Sequence, residues 1–233
     1  MDEYISNPAL DFAEGEVILI DKPLKWTSFN VVSKIKYQIK NHSSFIKDNI
    51  KIKPKVGHAG TLDPLATGLL IICTGRKTKE IEAFQNQKKI YSGTFFLGAT
   101  TPCFDLEKEI DRTFPTNHIT EEKILTCVKN FIGKQEQVPP IFSAIWVNGK
   151  RSYELAREGA AVELKSRIVE IEEFKITKID MPFVSFRIIC SKGTYIRSIA
   201  RDFGLALNSG AHLVELRREA IGNFNVNDSI TLS

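Results

Sequence analysis

Five consecutive apolar residues, Leu69-Leu70-Ile71-Ile72-Cys73, restrict the fold of this chain more than any other stretch. An uncharged run of that length predicts a strand buried on both faces. The residues just before it, Val56 to Gly68, read as a polar, Gly-containing loop with one acid, Asp63, and one histidine, His58. A loop fixed to such a strand cannot drift far, so it can hold a side chain in one place. Pro64 pushes Asp63 away from helical geometry and stiffens the turn. Gly57, Gly60 and Gly68 allow sharp bends and close approach of another molecule. The residues alone leave two readings of Asp63 open: a turn or capping aspartate, or a nucleophile or general base in a cleft.

Composition narrows the partners. The chain has 233 residues, 42% hydrophobic and 26% charged, an ordinary globular mixture. A net charge of +4 permits an anionic partner without demanding one. Cys73, Cys103, Cys127 and Cys190 are widely spaced, with no CxxC or Cys/His cluster, so no metal site is expected. No GxxxxGK[ST] or GxGxxG occurs, and no cofactor is expected. The acidic start lacks the apolar core of a signal peptide, and no run approaches the length of a membrane span. The expectation is a cytoplasmic protein with no membrane partner.

In chain order, residues 1–15 are polar and read as a flexible lead. Glu16 to Asp21 predicts a strand stopped at Pro23. Thr27 or Ser28 can cap a helix whose apolar positions are Phe29, Val32, Ile35 and Ile39. His42-Ser43-Ser44 breaks that helix, and a lysine-rich insert occupies about residues 40–55. Lys88 to Gly98 predicts a strand containing Tyr91. Thr101 to Pro115 is an acidic loop. Thr120 caps a helix stapled by Ile119 and Ile124, buried through Ile124, Leu125, Val128 and Phe131, and ended by Gly133. Gln137 to Trp146 contains Pro139-Pro140, and a short helix beyond it, with Tyr153, closes at Gly159. Val169 to Ile179 alternates as a strand whose phase slips at Glu172-Glu173, which predicts a bulge. Phe183 to Cys190 predicts a strand buried on both faces, and Gly193-Thr194 turns into a helix carrying Ile196, Ile199, Phe203 and Leu207.

Four segments carry a resemblance: DKPLKWTSFNVV from Asp21, GHAGTLDPLATGLL from Gly57, SKGTYIRSIARDFG from Ser191 and GAHLVELRR from Gly210. Together they resemble the TruB family of tRNA pseudouridine-55 synthases, over about Glu16 to Asn225. The usual Thr of that family is Ala59 here. The resemblance implies an α+β pseudouridine synthase fold: a mixed, mostly antiparallel central sheet flanked by helices, with an active-site cleft across the sheet. It implies one catalytic domain over 16–233, without the small C-terminal PUA domain of many bacterial relatives.

The resemblance also implies roles. Asp63 is the nucleophile, Arg197 pairs with it, and Tyr91 and Tyr195 lie against the target nucleotide. His58, Lys22, Gly60, Leu216 and Lys192 contact substrate or support the loop. The partner is the T-arm stem-loop of tRNA, bound by a monomer. The insert is longer than the family's matching link; its lysines read as a solvated face or, from their place before the Asp63 loop, as cations that meet RNA phosphates. Two other readings stand beside this one: a non-catalytic tRNA-binding or folding chaperone, and a superfamily relative acting on ribosomal RNA. DKP, KGTYIR and GAHLVELRR favour the tRNA branch.

Overall fold

A computed structural model describes residues 2–5, 7–47, 50–51, 53–143, 145–147, 149–158 and 164–232. The chain divides into two compact units, residues 1–91 with 217–233, and residues 92–216. Both are α+β; Val17–Lys22 runs parallel to Ile230–Thr231, and the pairings described below are antiparallel.

In the first unit the strand Ala66–Thr74 lies antiparallel to Val17–Lys22, with Val17 opposite Cys73 and Lys22 opposite Gly68. Val56–His58 also pairs with Ala66–Thr74, setting His58 opposite Ile72. Leu69 to Cys73 are fully buried, as their apolar run requires. Side chains alternate along a strand, so the run feeds two separate cores. Leu70 and Ile72 join Ile18, Ile20, Val31, Ile35 and Ile39. Leu69, Ile71 and Cys73 join Ala59, Phe84 and Ile221.

The helix Ser28–Ile39 is capped by Thr27, whose hydroxyl accepts from Asn30 N. Its buried positions are Ser28, Val31, Ile35 and Ile39, and Phe29 is 73% exposed. The spacing predicts Phe29 and Val32 on the inner face; Val32 does pack against this core, partly buried. The capped start turns the helix so that Ser28 points inward and Phe29 outward. The lead is more ordered than its polarity implies: Phe12 is fully buried in the first core, edge-on to His42 with ring centroids 4.8 Å apart. Beyond the helix, His42 caps a 3-10 turn, Ser43–Phe45, and Ile46–Lys47 pairs with Ile50–Lys51. Asp48, Asn49 and Ile52 of the basic insert lie outside the described residues.

In the second unit Arg167–Asp180 pairs with Phe183–Cys190 on one side and Gly133–Gln137 on the other. The expected bulge falls between Ile171 and Glu173, and a second register shift follows between Ile176 and Lys178. Phe183–Cys190 buries Val184, Phe186, Ile188 and Cys190 and leaves Phe183 45% exposed, so it has one core face rather than two. The core is aromatic: Phe95 stacks on Phe186 at 4.2 Å, with Phe174 and Phe203 packed around the pair. Thr120 caps the helix Glu121–Lys129, which buries Ile124, Cys127 and Val128; Leu125 stays 42% exposed. Gly133 opens the strand Gly133–Gln137 instead of ending that helix, which stops at Lys129. Gly159, expected to close the helix Ser152–Arg157, lies outside the described residues. The helix Ile196–Ala206 buries Ile196, Ile199 and Phe203 as its spacing predicts. Cys73, Cys103, Cys127 and Cys190 are buried free thiols.

Candidate active site

The loop that carries Asp63 is pinned from four directions. Ser28, at the start of its helix, accepts from Leu62 N at 2.9 Å, and its hydroxyl lies 3.2 Å from Leu62 O. Lys25 N donates to Pro64 O at 2.8 Å. Ala59 N donates to Ile71 O at 2.9 Å, tying the loop to the strand that follows it. The Arg218 guanidinium, 1% exposed, spans the loop from beneath. It donates to Gly60 O at 3.0 Å, to Thr61 O at 3.5 Å and to Leu69 O at 2.8 Å. Asp63 itself is half-buried, and its carbonyl accepts from Ala66 N at 3.1 Å to close the turn. These contacts fix the backbone on both sides of the carboxylate.

Lys22 is fully buried and not the solvated turn lysine that its residue type suggests. Its Nζ donates to Trp26 O at 2.6 Å, Pro23 O at 3.0 Å and Pro64 O at 3.4 Å. Of the two roles implied for it, loop support is the one these contacts describe. Burial lowers its pKa to about 8, opposed by the carboxylate of Asp63 and assisted by the charge of Arg218. His58 is half-buried, and its pKa is lowered by burial and then by Arg218, with a Gly60 backbone hydrogen bond acting against both. Its Nδ1 is buried without a hydrogen-bond partner among the described residues. Gly60 adopts φ +100° in the left-handed region, which lets the chain turn over Arg218. Tyr91, on the strand Lys89–Leu97, is 8% exposed.

The second unit holds the other residues implied by the motifs. Arg197 lies in the first turn of Ile196–Ala206 and is 3% exposed, so it is no surface arginine. It donates to Phe142 O at 2.9 Å and Cys103 O at 3.2 Å, and its Nε stands 3.5 Å from Asp105 Oδ2. Asp105 is also buried, and its Oδ1 accepts from Glu107 N at 3.0 Å. A buried guanidinium gains from such a carboxylate, since an unpaired charge there is costly. Tyr195 is the residue before the helix; its N–H donates to Gln137 Oε1 at 2.8 Å, and Arg167 lies over its ring 4.5 Å from the centroid. Leu216 is half-buried and Lys192 is exposed.

Arg218 and Asp105 escaped the sequence reading. A signal existed for Arg218: it shares strand parity with Ala220, which is buried, so it points inward. Asp105 offered none, because it is one of four acids in a loop that reads as solvated. Arg217 adds a fork to Asp21, at 3.0 and 2.7 Å. Among the described residues no group of His, Cys, Asp or Glu could hold a metal ion, and no helix is long and apolar enough to cross a membrane.

Comparison with known proteins gives a consistent picture. Residues 47–196 match the family model of the N-terminal domain of TruB family pseudouridylate synthases. Residues 197–233 match the C-terminal domain model of tRNA pseudouridylate synthase B. The tRNA pseudouridine synthase B of Flavobacterium johnsoniae is 56% identical over 223 residues, covering 96% of this chain and 95% of that one. That of Phocaeicola vulgatus is 55% identical, covering 96% and 92%. Among solved structures, a chain of a Cbf5–Nop10–Gar1 complex superposes with a TM-score of 0.69 at 30% identity over 97% of this chain. This chain spans only 54% of that longer one.

Proposed function

Because this chain belongs to the TruB family of pseudouridylate synthases, we propose that it converts uridine 55 in the T-arm loop of tRNA to pseudouridine, acting as a monomer. The reaction breaks the bond from N1 of uracil to C1′ of the sugar, turns the base, and joins C5 to C1′. The C5 proton leaves and N1 ends protonated, so atoms balance without a redox partner. The target atoms are hidden in folded RNA, so the base must leave its stack.

Asp63 is the nucleophile in this reading. The observation that carries it is the pinned loop: Ser28, Lys22, Lys25 and Arg218 fix the backbone around one half-buried carboxylate inside the matching motif. Such fixation is what a nucleophile needs and a merely solvated turn does not. Arg197 supplies the guanidinium, and Tyr91 and Tyr195 supply rings for the flipped base. His58, Gly60, Leu216 and Lys192 contact the nucleotide, and Lys22 supports the loop.

The test is Asp63→Asn with T-arm stem-loop RNA. Pseudouridine formation should fall by at least about a thousandfold while RNA binding survives. Retained turnover would falsify the assignment of Asp63 as the nucleophile, and RNA binding without turnover in the parent would leave an RNA-binding role. Mapping modified uridines in tRNA and ribosomal RNA from cells lacking the protein fixes the substrate.

A further inference from the structure

We propose that the segment Leu24 to Phe29 is an RNA-contacting edge of the Asp63 loop, with Lys25 meeting a phosphate and Phe29 stacking on an unpaired base beside the target. The proposal rests on the reading of this chain as a tRNA-modifying enzyme and gives roles to Lys25 and Phe29, which lie inside the DKPLKWTSFNVV motif.

Three observations carry it. First, the segment is tied to the Asp63 loop at both ends. Lys25 N is bonded to Pro64 O at 2.8 Å, and Ser28 Oγ to Leu62 N at 2.9 Å. Lys22 Nζ bridges Trp26 O and Pro64 O between them. Whatever the segment exposes is therefore held beside the loop. Second, it exposes side chains that folding alone would not place there. Leu24 is 52% and Phe29 73% exposed, although the adjoining helix completes its core face with Val31, Ile35 and Ile39. Lys25 has φ +68°, a left-handed conformation that lysine adopts at a cost and that glycine adopts freely. Strain of that kind persists where the surroundings impose it, and it clusters at sites that bind ligands.

Third, the segment and the helix after it carry basic residues and no acid of their own. No Asp or Glu occurs from Lys22 to Lys47, while that stretch holds six lysines. Asp21, just before it, is occupied by the Arg217 fork. An exposed aromatic ring beside lysines suits a single-stranded or looped nucleic acid: cations track the phosphates and a ring accepts any base face. A duplex, whose bases are stacked away, would leave Phe29 without a partner.

The test measures dissociation constants of a T-arm stem-loop RNA at several salt concentrations, in an Asp63→Asn background so that turnover plays no part. Phe29→Ala is expected to weaken binding about tenfold, the loss of one stacked base. Lys25→Gly is expected to weaken it roughly threefold and to lower the log–log salt slope by about 0.7, the share of one phosphate contact. Its melting temperature should stay at or above the parent's, because glycine suits that backbone, which separates lost contact from lost fold. Parent-like affinity and slope in both variants would overturn the proposal. So would a protein partner that the parent binds and Phe29→Ala loses while RNA affinity holds. Turnover retained by Asp63→Asn would remove Asp63 as the nucleophile and leave these binding constants standing.

Discussion

A Cβ on Gly68 would stand 2.3 Å from the carbonyl oxygen of Arg218. The two backbones therefore touch where only hydrogen is tolerated, and Gly68 also has φ +100°. That approach lets Arg218 lie under the loop and reach Gly60, Thr61 and Leu69. Gly68→Ala should cost about 3 kcal/mol or more, from clash and left-handed strain together. Urea unfolding of the variant would show it as a lowered midpoint with an unchanged slope.

Arg218 is held for its shape as well as its charge. Arg218→Met strands buried carbonyl oxygens and should destabilise by roughly 3–5 kcal/mol. Arg218→Lys keeps a charge but cannot span Gly60 and Leu69 at once, so it should fold better than the methionine variant and still lose most turnover. The charge has its own readout. In Arg218→Met the pKa of His58 should rise toward its ordinary value, and burial should stop it short of that value. Imidazole chemical shifts followed through a pH titration would reveal either outcome.

Lys22 predicts a specific pH dependence. Its folded pKa is about 8, below the ordinary 10.5. Between those values the unfolded chain holds a proton that the folded chain has released, so this residue makes stability rise with pH across that window. Below the window the ammonium is charged in both states and the burial cost is paid in full. Lys22→Met should abolish that rise, so the stability difference between wild type and variant should grow in favour of wild type from about pH 8 to 10. Chemical unfolding of both proteins in parallel measures it, and parallel curves would refute it.

Arg197 and Asp105 form a buried ion pair in the second unit. Arg197→Met leaves a buried carboxylate without its cation and should cost about 3–5 kcal/mol. Asp105→Asn keeps the shape, and the two changes together should be less harmful than their sum, by about 1–3 kcal/mol. A double-mutant cycle in urea decides; strict additivity would mean that the pair does not interact.

How much of this was legible in the sequence depended on the range of the contact. The strand through Leu69 to Cys73, the Thr27 and Thr120 caps and the bulge near Glu172 follow from neighbouring residues, and the structure contains each. The inner face of Ser28–Ile39 departs from its spacing only at the start: Val32, Ile35 and Ile39 lie on the core, while the packing of Ser28 against Leu62 turns Phe29 outward. Arg218 meets Gly60 from 158 residues away, and Arg197 meets Cys103 from 94. Contacts at such separations leave no local period. The motifs point to Asp63 and Arg197 as candidates, but they do not reveal that the loop of one rests on Arg218 and that the other lies beside Asp105.

The four sequestered sulfhydryls give this protein an internal clock for opening. Cys73 reports on the first unit, and Cys103, Cys127 and Cys190 on the second. Cys73 and Cys127 also have pKa values raised to about 11, so neither offers thiolate at neutral pH while the fold is closed. An alkylating reagent added to the native protein will therefore modify each one only as fast as its surroundings come apart. Peptide-resolved modification rates will then rank the two halves by how readily each breathes.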